Sequence, residues 1–152
     1  MNHATFLLAN LALAFYGIGA IWAHEVDIFR SWKLLDPATF QCVQRVHWRK
    51  LPYWIFAPVA LTFAGSIGLL WIHPTPTPSW IPWAAFACQL VSHTLTAAMW
   101  GPWQAKLSRD PAGPAGIYLK RILATHWIRT LLINLYGFLL LGWSIAVLAP
   151  SR

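Results

Sequence analysis

Residues 122–148, ILATHWIRTLLINLYGFLLLGWSIAVL, decide the fold of this protein. A helix needs roughly 20 mostly apolar residues to cross the hydrocarbon core of a bilayer, and this longer stretch contains only one Lys, Arg, Asp or Glu, which is Arg129. Three further stretches meet the same criterion, at residues 4–23, 51–72 and 80–100. The sequence therefore predicts an all-α integral membrane protein in which residues 1–152 form one bundle of four transmembrane helices.

The composition favours the same class of protein. Of the 152 residues, 58% are hydrophobic and only 10% are charged, so a soluble globule of this size would leave large apolar patches in water. The two cysteines, Cys42 and Cys88, form neither a CxxC pair nor a disulfide framework. These features argue against a soluble domain, a disordered chain and a disulfide-stapled secreted domain.

The basic residues predict the orientation of the bundle. Ten of the eleven Lys and Arg residues lie on one side of the predicted membrane: Arg30, Lys33, Arg45, Arg49 and Lys50 in the first connection, Lys106, Arg109, Lys120 and Arg121 in the second, and Arg129 just beyond it, whereas Arg152 lies on the other side. Because basic residues in short loops stay in the cytoplasm, we expect both connections to be cytoplasmic and both termini external, in a bacterial inner membrane. This distribution explains the net charge of +7 without a nucleic-acid partner.

Two Asp-Pro pairs predict where the second and fourth helices begin. Asp36 precedes Pro37 and Asp110 precedes Pro111, and each pair places a capping carboxylate before a proline, which is tolerated in a first helical turn. Similar strings follow, beginning at His47-Trp48 and at His126-Trp127. One interpretation is a repeat of two helical hairpins about an axis along the membrane normal. The alternative is that helices commonly carry Trp and Arg where they enter a membrane.

Polar residues recur at helical spacing, and inside a membrane such a face should point into the bundle. These residues are His24, Glu25 and Asp27 on the first helix, His47 on the second, Gln89, His93, Trp100 and Gln104 on the third, and His126, Arg129 and Asn134 on the fourth. Their depth predicts that four of the six histidines surround one cavity in the cytoplasmic half of the bundle.

One hypothesis is that this cavity holds a metal ion, since imidazole and carboxylate groups from several helices can converge in a bundle. The candidate ligands are His24, His47, His93 and His126, with Asp27 or Glu25. Iron and copper are the favoured metals, zinc is chemically reasonable, and two facing histidines could instead hold a haem. Adjacent residues on a regular helix point about 100 degrees apart, so Asp27 is the better partner for His24 than Glu25.

A second hypothesis needs no cofactor. A neutral His93 or His126 takes a proton from an acidic carbon, and Arg129 stabilises the resulting enolate. The residues predicted to contact the substrate are Gln89, Trp100, Gln104 and Asn134. In the structural alternative, Arg129 forms an ion pair with Glu25 or Asp27 and takes no part in catalysis.

Three segments of the chain carry a resemblance to a known family. They are YGIGA at 16–20, FQCVQRVHWRKLPYWIFAPVALTFAG at 40–65 and LATHWIRTLLINLYGFLLL at 123–141. Together they resemble the anthrone-oxygenase-like family of small four-helix membrane proteins, whose functionally named members oxidise anthrones to anthraquinones without a classical cofactor. The resemblance implies roles for Trp127, Arg129 and the region of His47. The sequence departs from the family at HEVD, residues 24–27, which leaves more room for a metal site.

Two classes of function follow from these features. The first is an oxidoreductase or oxygenase that acts on a lipophilic or aromatic molecule at the His-lined site, either alone, as a homo-oligomer or with a redox partner. The second is a non-enzymatic membrane subunit or lipid-binding module, whose polar stripes hold helices together and whose basic rim attracts anionic headgroups. A transporter or channel is less favoured, because four helices leave little room for a pore.

Overall fold

A computed structural model describes residues 2–149 and shows a bundle of four long helices. Helix α1 is His3–Trp32, α2 is Pro37–Gly68, α3 covers residues 80–107 and α4 is Ile117–Leu148. Each helix packs against the one that follows it, and α4 also packs against α1. The all-α four-helix bundle predicted from the sequence is confirmed. The prediction for Arg152 lies outside the described residues.

Three of the four helices, α1, α2 and α4, are long and apolar enough to cross a membrane. The sequence predicted four such helices, but α3 does not meet the same criterion, since it carries Gln89, Ser92, His93 and Thr96 among its apolar residues. Gln89 and Ser92 are buried within the bundle. The polarity of α3 is therefore directed at least partly toward the interior of the protein.

The outer surface of α4 is apolar, and polar residues lie among its buried ones. Leu131, Leu135 and Phe138 are more than half exposed, whereas His126 and Thr130 are buried. In a soluble bundle the outer surface of such a helix is polar. The pattern in α4 suits a helix whose outer surface contacts lipid.

The helices extend beyond the spans predicted from hydropathy. Helices α1, α2 and α4 contain 30, 32 and 32 residues, which corresponds to roughly 45–48 Å at 1.5 Å per residue against a hydrocarbon core of about 30 Å. Most of the additional turns, residues 24–32 of α1 and 37–50 of α2, lie at the end of the bundle that contains the connections 33–36 and 108–116. We call this the basic end. The opposite end contains the proline-rich turn 69–79 and is called the proline-turn end.

The start of α2 confirms the interpretation of the first Asp-Pro pair. Asp36 is the N-cap residue, and its Oδ1 accepts hydrogen bonds from the backbone N–H groups of Ala38 and Thr39 at 3.0 and 3.1 Å. The hydrogen bonds from the side chain and backbone of Thr39, and from the backbone of Ala38, lower the pKa of the Asp36 carboxyl group. The exposed carboxylate therefore fixes the first turn of α2 while staying ionised.

The interpretation of the second Asp-Pro pair is wrong, because α4 begins later, at Ile117. Asp110 instead closes a turn, in which its Oδ1 accepts a hydrogen bond from the Ala112 N–H at 3.0 Å. Gly113 follows with a φ of +56°, and a Cβ at this position would lie 2.8 Å from Cα of Pro37. Both the left-handed backbone and the close approach favour glycine. The connection therefore packs against the start of α2 before the chain turns into α4.

Three of the four helices contain a π-helical turn, which hydropathy did not reveal. These turns are His24–Ile28 in α1, Pro52–Phe56 in α2 and Thr96–Trp100 in α3. In α3 the Gly101 N–H donates to the Thr96 carbonyl five residues earlier, immediately before Pro102. A proline cannot donate the regular helical hydrogen bond and clashes with the preceding turn, and a wider π turn relieves both problems. Such turns are frequent at functional sites.

Two buried clusters fill the bundle on either side of its middle. The proline-turn core consists of Leu7, Ala14, Leu69, Ala85, Cys88, Tyr136, Leu140 and Trp143. The basic-end core consists of Phe29, Trp32, Phe40, Leu107, Leu119 and Ile122. Between these two layers the four helices surround a cavity.

Candidate functional site: a His-lined cavity in the middle of the bundle

The cavity has a volume of about 370 Å³ and is lined by all four helices, which places it in the size range of small-molecule sites. Most of its wall is apolar and includes Leu13, Ile21, Leu51, Ile55, Val59 and Ile133. Four lining residues are exposed, namely Tyr16, Phe56, Ala60 and Ala97. The cavity is therefore open to the surroundings of the bundle rather than sealed.

Four of the residues predicted from the sequence line this cavity, and all are polar: His24, His93, Gln104 and Arg129. Thr62, Ser92 and Thr96 add hydroxyl groups to the wall. Among the lining residues, Arg129 is the only Lys, Arg, Asp or Glu. The cavity thus combines an apolar wall with a single cationic side chain.

Arg129 is connected to a carboxylate through a histidine. Its Nη2 donates a hydrogen bond to His126 Nε2 at 2.5 Å, and His126 Nδ1 donates to Glu25 Oε2 at 2.7 Å. Because a guanidinium only donates hydrogen bonds, Nε2 must accept, and the proton of the neutral imidazole is on Nδ1. The His126 side chain is fully buried and that of Glu25 is 20% exposed. This chain of hydrogen bonds links α4 to α1.

Trp100, which the sequence predicted to be part of a substrate pocket, is not among the residues that line the cavity. Its ring instead faces the guanidinium of Arg129, with 5.2 Å between the guanidinium carbon and the ring centroid. The Trp100 Nε1–H donates to Thr125 Oγ1 at 2.9 Å, which fixes the ring. A cation over the face of an indole is attracted by the ring quadrupole. Trp100 therefore stabilises the charged side chain of Arg129 through a cation–π contact.

The structure reverses the preference for Asp27 over Glu25 that was drawn from helical geometry. Asp27 is exposed, whereas Glu25 takes part in the buried chain with His126. The argument assumed a regular helix, but His24–Ile28 forms a π turn. This wider turn allows His24 to line the cavity while the adjacent Glu25 reaches α4. The expected ion pair between Arg129 and Glu25 or Asp27 is not formed in the described chain, because the imidazole of His126 lies between Arg129 and Glu25.

His24 and His47 form a second histidine group beside the cavity. Their ring centroids are 5.5 Å apart, and His24 stacks on Trp54 with a centroid distance of 5.2 Å and an interplanar angle of 14°. The His24 Nδ1–H donates to the Ala20 carbonyl at 2.8 Å. The Gln104 amide donates to His47 Nε2 at 3.3 Å. His47 thus contacts two lining residues without lining the cavity itself.

His93 presents a free nitrogen toward the interior. Its Nδ1 donates to the Gln89 carbonyl at 2.7 Å, and since a carbonyl only accepts, the lone pair of a neutral His93 lies on Nε2. Nε2 is buried and has no hydrogen-bond partner within residues 2–149. The Phe63 ring packs against the imidazole with a centroid distance of 4.5 Å. His93 therefore has the unshared lone pair that a general base requires.

The remaining predicted residues lie away from the cavity. Gln89 contacts His93 through its backbone carbonyl only. Asn134 accepts a hydrogen bond from the Trp22 Nε1–H at 3.3 Å and donates to the Thr130 carbonyl. Trp127, to which the family resemblance pointed, is 57% exposed on the outer surface.

Metal binding remains a prediction. Within the described part of the chain, no group of three or more His, Cys, Asp or Glu side chains is arranged to hold a metal ion. Both ring nitrogens of His126 take part in hydrogen bonds to Glu25 and Arg129. Of the four candidate histidines, His24 and His47 bring their rings closest together, with centroids 5.5 Å apart.

Sequence reasoning missed the aromatic side chains that hold the histidines in place. Trp54 stacks on His24, Phe29 packs against His126 with a centroid distance of 4.5 Å, and Phe63 packs against His93. The helix-interior prolines Pro52 and Pro102 were the available signal that regular helical spacing would not hold in α2 and α3.

Comparison of the sequence and structure with family models, curated proteins and solved structures gave no match.

Proposed function

We propose that this protein is a membrane oxidoreductase that oxidises a lipophilic, aromatic molecule with dioxygen in the central cavity. One observation carries the proposal: a single apolar cavity is lined both by His93, whose Nε2 is free to accept a proton, and by Arg129, which can stabilise an anion. A base and a cation at one apolar site are the two groups that enolate chemistry requires.

In the cofactorless form, His93 Nε2 takes a proton from a CH2 group next to a carbonyl, and the enolate oxygen is stabilised by Arg129. The enolate transfers electrons to dioxygen, a carbon–oxygen bond forms, and the peroxide takes up the proton from His93. Loss of water then leaves a second carbonyl. The balance is CH2 plus O2 giving C=O plus H2O. In this scheme His126 does not act as a base, because both of its nitrogens are engaged.

A metal-dependent form is the variant of this proposal in which iron or copper activates dioxygen. It is supported by the close approach of His24 and His47, with ring centroids 5.5 Å apart. This form predicts near-stoichiometric metal in the purified protein, accompanied by visible absorption. The metal should be lost on substitution of His24 or His47. The cofactorless form predicts full turnover by metal-free protein.

Oxidation of anthrone in lipid nanodiscs tests the proposal. Oxygen uptake and anthraquinone absorbance are measured for the wild type, for His93→Ala and for His73→Ala, a matched control in the proline-rich turn. We expect His93→Ala to lose nearly all turnover and His73→Ala to keep it. Full turnover in His93→Ala would contradict the role of His93, and a wild type without oxygen uptake would favour the second function below.

We also propose that all four helices cross a bacterial inner membrane, with the basic end in the cytoplasm. Most of the Lys and Arg residues lie in the connections 33–36 and 108–116 or in the helix ends that flank them, as the positive-inside rule predicts for a cytoplasmic end. Cys42 is exposed on α2 near this end, whereas Cys88 is buried. A membrane-impermeant thiol reagent should label Cys42 in inside-out vesicles but not in intact spheroplasts, and Cys42→Ser should remove the signal.

The two-hairpin repeat belongs to the same topological proposal. His47 lies ten residues after Pro37, the first residue of α2, and His126 lies nine residues after Ile117, the first residue of α4. The helices thus place their histidines at nearly equivalent depths, although their connections differ. This equivalence supports an axis along the membrane normal.

The second candidate function is a non-enzymatic membrane subunit or lipid-binding module. It is supported by the basic residues around one end of the bundle, which suit anionic headgroups. A variant with Ala in place of His24, His47, His93 and His126 tests it. Retained folding, lipid binding and partner capture in this variant would favour this function. Loss of oxidation with retained folding would favour the enzyme, whether it acts as a homo-oligomer or with a redox partner.

A further inference from the structure

We infer that the ligand of the cavity is a lipophilic molecule with an anionic or readily ionised oxygen, and that Glu25 and His126 are positioning residues that hold Arg129 toward that oxygen. The inference uses the same cavity as the proposed function and therefore rests on it. It adds the chemical class of the ligand and a role for two residues outside the cavity wall.

The charge of Arg129 is the first argument. Hydrogen bonds link Arg129 to one acidic residue, Glu25. The Glu25 carboxylate bonds to His126, however, and not directly to the guanidinium. A neutral imidazole therefore separates the two charges. The Arg129 side chain is mostly shielded from water, and a cation in an apolar bundle without a direct anionic partner is costly. An anion in the cavity would supply the direct partner that the protein does not.

The donors of Arg129 are the second argument. Its Nη2 bonds to His126, and its buried Nε has no hydrogen-bond partner in the described chain. The Trp100 ring covers one face of the guanidinium, and Arg129 lines the cavity. A planar guanidinium with unused donors beside an apolar cavity suits an oxyanion, because charge-assisted hydrogen bonds to carboxylate-like oxygens are among the strongest in proteins.

The fixed position of His126 is the third argument. The Glu25 carboxylate holds the Nδ1–H, the Phe29 ring packs against the imidazole, and Nε2 is left to accept from Arg129. Without the carboxylate, the Nδ1–H of His126 loses its acceptor, and the imidazole that anchors the guanidinium is no longer held from that side. Glu25 thus acts on the ligand only through His126 and Arg129.

Equilibrium binding of two matched probes tests the inference. The probes are radiolabelled 2-naphthoate, which carries an oxyanion, and 2-methylnaphthalene, which has a similar body and no charge. Binding is measured in nanodiscs of zwitterionic lipid, and uptake by empty nanodiscs is subtracted. The variants are Arg129→Gln, Glu25→Gln and Glu25→Asp. Asp27→Asn is the control, since Asp27 lies on the same π turn but is exposed.

We expect Arg129→Gln to lower the affinity for 2-naphthoate by about tenfold or more and to leave the affinity for 2-methylnaphthalene unchanged. Glu25→Gln should lower the naphthoate affinity by about three- to tenfold, again without an effect on the neutral probe. Glu25→Asp keeps the carboxylate and should retain more of the preference for the anion. Asp27→Asn should behave like the wild type with both probes.

Three outcomes would overturn the inference, and they separate it from the proposed function. Equal loss of both probes in Arg129→Gln or Glu25→Gln would show a general structural role. Wild-type protein that binds 2-methylnaphthalene without preferring 2-naphthoate would refute the anion site and leave the cavity as an aromatic site. Wild-type protein that binds neither probe would refute both the inference and the proposed use of the cavity.

Discussion

The proline-turn core and the cavity are adjacent layers of the same four helices, but they are filled differently. In the core, Tyr136 and Leu140 are completely buried, and a Cβ on Gly65 would lie 1.8 Å from Asn10 Oδ1. In the adjacent layer the helices leave about 370 Å³ unfilled. Since protein interiors are normally packed as densely as organic crystals, the difference indicates that the core provides stability and the cavity layer provides a binding site.

The two layers also differ in the backbone of their helices. The core is built where small residues permit close contact, as at Gly65 against Asn10 and at Gly137, where an added Cβ would lie 2.5 Å from Ile18 Cδ1. The cavity is bordered by the three π turns, each of which contributes at least one lining residue. The π turns rotate the side chains that follow them out of regular helical register.

The largest effect is expected from removing equivalent apolar volume from each layer. Leu140 is in the core and Ile133 lines the cavity, seven residues apart on α4. Leu140→Ala should lower the free energy of unfolding by about 2–4 kcal/mol, because it creates a new void. Ile133→Ala should cost about 1 kcal/mol, because this side chain already lacks neighbours on one side. Unfolding in mixed micelles measures both, and equal costs would contradict the comparison.

A smaller effect is expected from glycine substitutions. Gly65→Ala places a methyl group against Asn10 Oδ1, so Asn10 must move and break its hydrogen bond to the Phe6 carbonyl. We expect a loss of about 1–2 kcal/mol in the free energy of unfolding. Gly142→Ala is the matched control, because nothing lies within 4 Å of a Cβ there. It should be neutral or stabilising, as alanine is the better helix former. A neutral Gly65→Ala would show that the contact is loose.

The smallest effect concerns the wall of the cavity. Pro58 has no N–H to donate to the Trp54 carbonyl, and the Tyr16 hydroxyl donates to that carbonyl at 2.7 Å. Tyr16→Phe should therefore cost about 1 kcal/mol, but nearly nothing in a Pro58→Ala background, where a backbone N–H becomes available. A double-mutant cycle on the free energy of unfolding should give a coupling of about 1 kcal/mol. Additive effects would refute this explanation of the hydrogen bond.

Several features of the fold could be predicted because they depend on local physics. Hydropathy over 122–148 indicated a membrane helix, and the pair at Asp36 indicated the start of α2. The corresponding pair at Asp110 misled, because a turn that needs a positive φ at Gly113 comes before α4. A capping residue indicates where a helix can begin. At Asp110 the following residues form a turn instead, so the helix begins later, at Ile117.

The sequence by itself determined the number of helices, their apolar outer faces and the polar residues available inside, since these follow from composition and spacing along each helix. Only the tertiary structure decided which of those residues meet. The π turn at His24–Ile28 exchanges the expected roles of Glu25 and Asp27, and the packing of α1 against α4 brings Glu25 to His126. The rotation of a helix about its axis depends on packing against its neighbours, and a departure from 3.6 residues per turn changes it for every residue that follows.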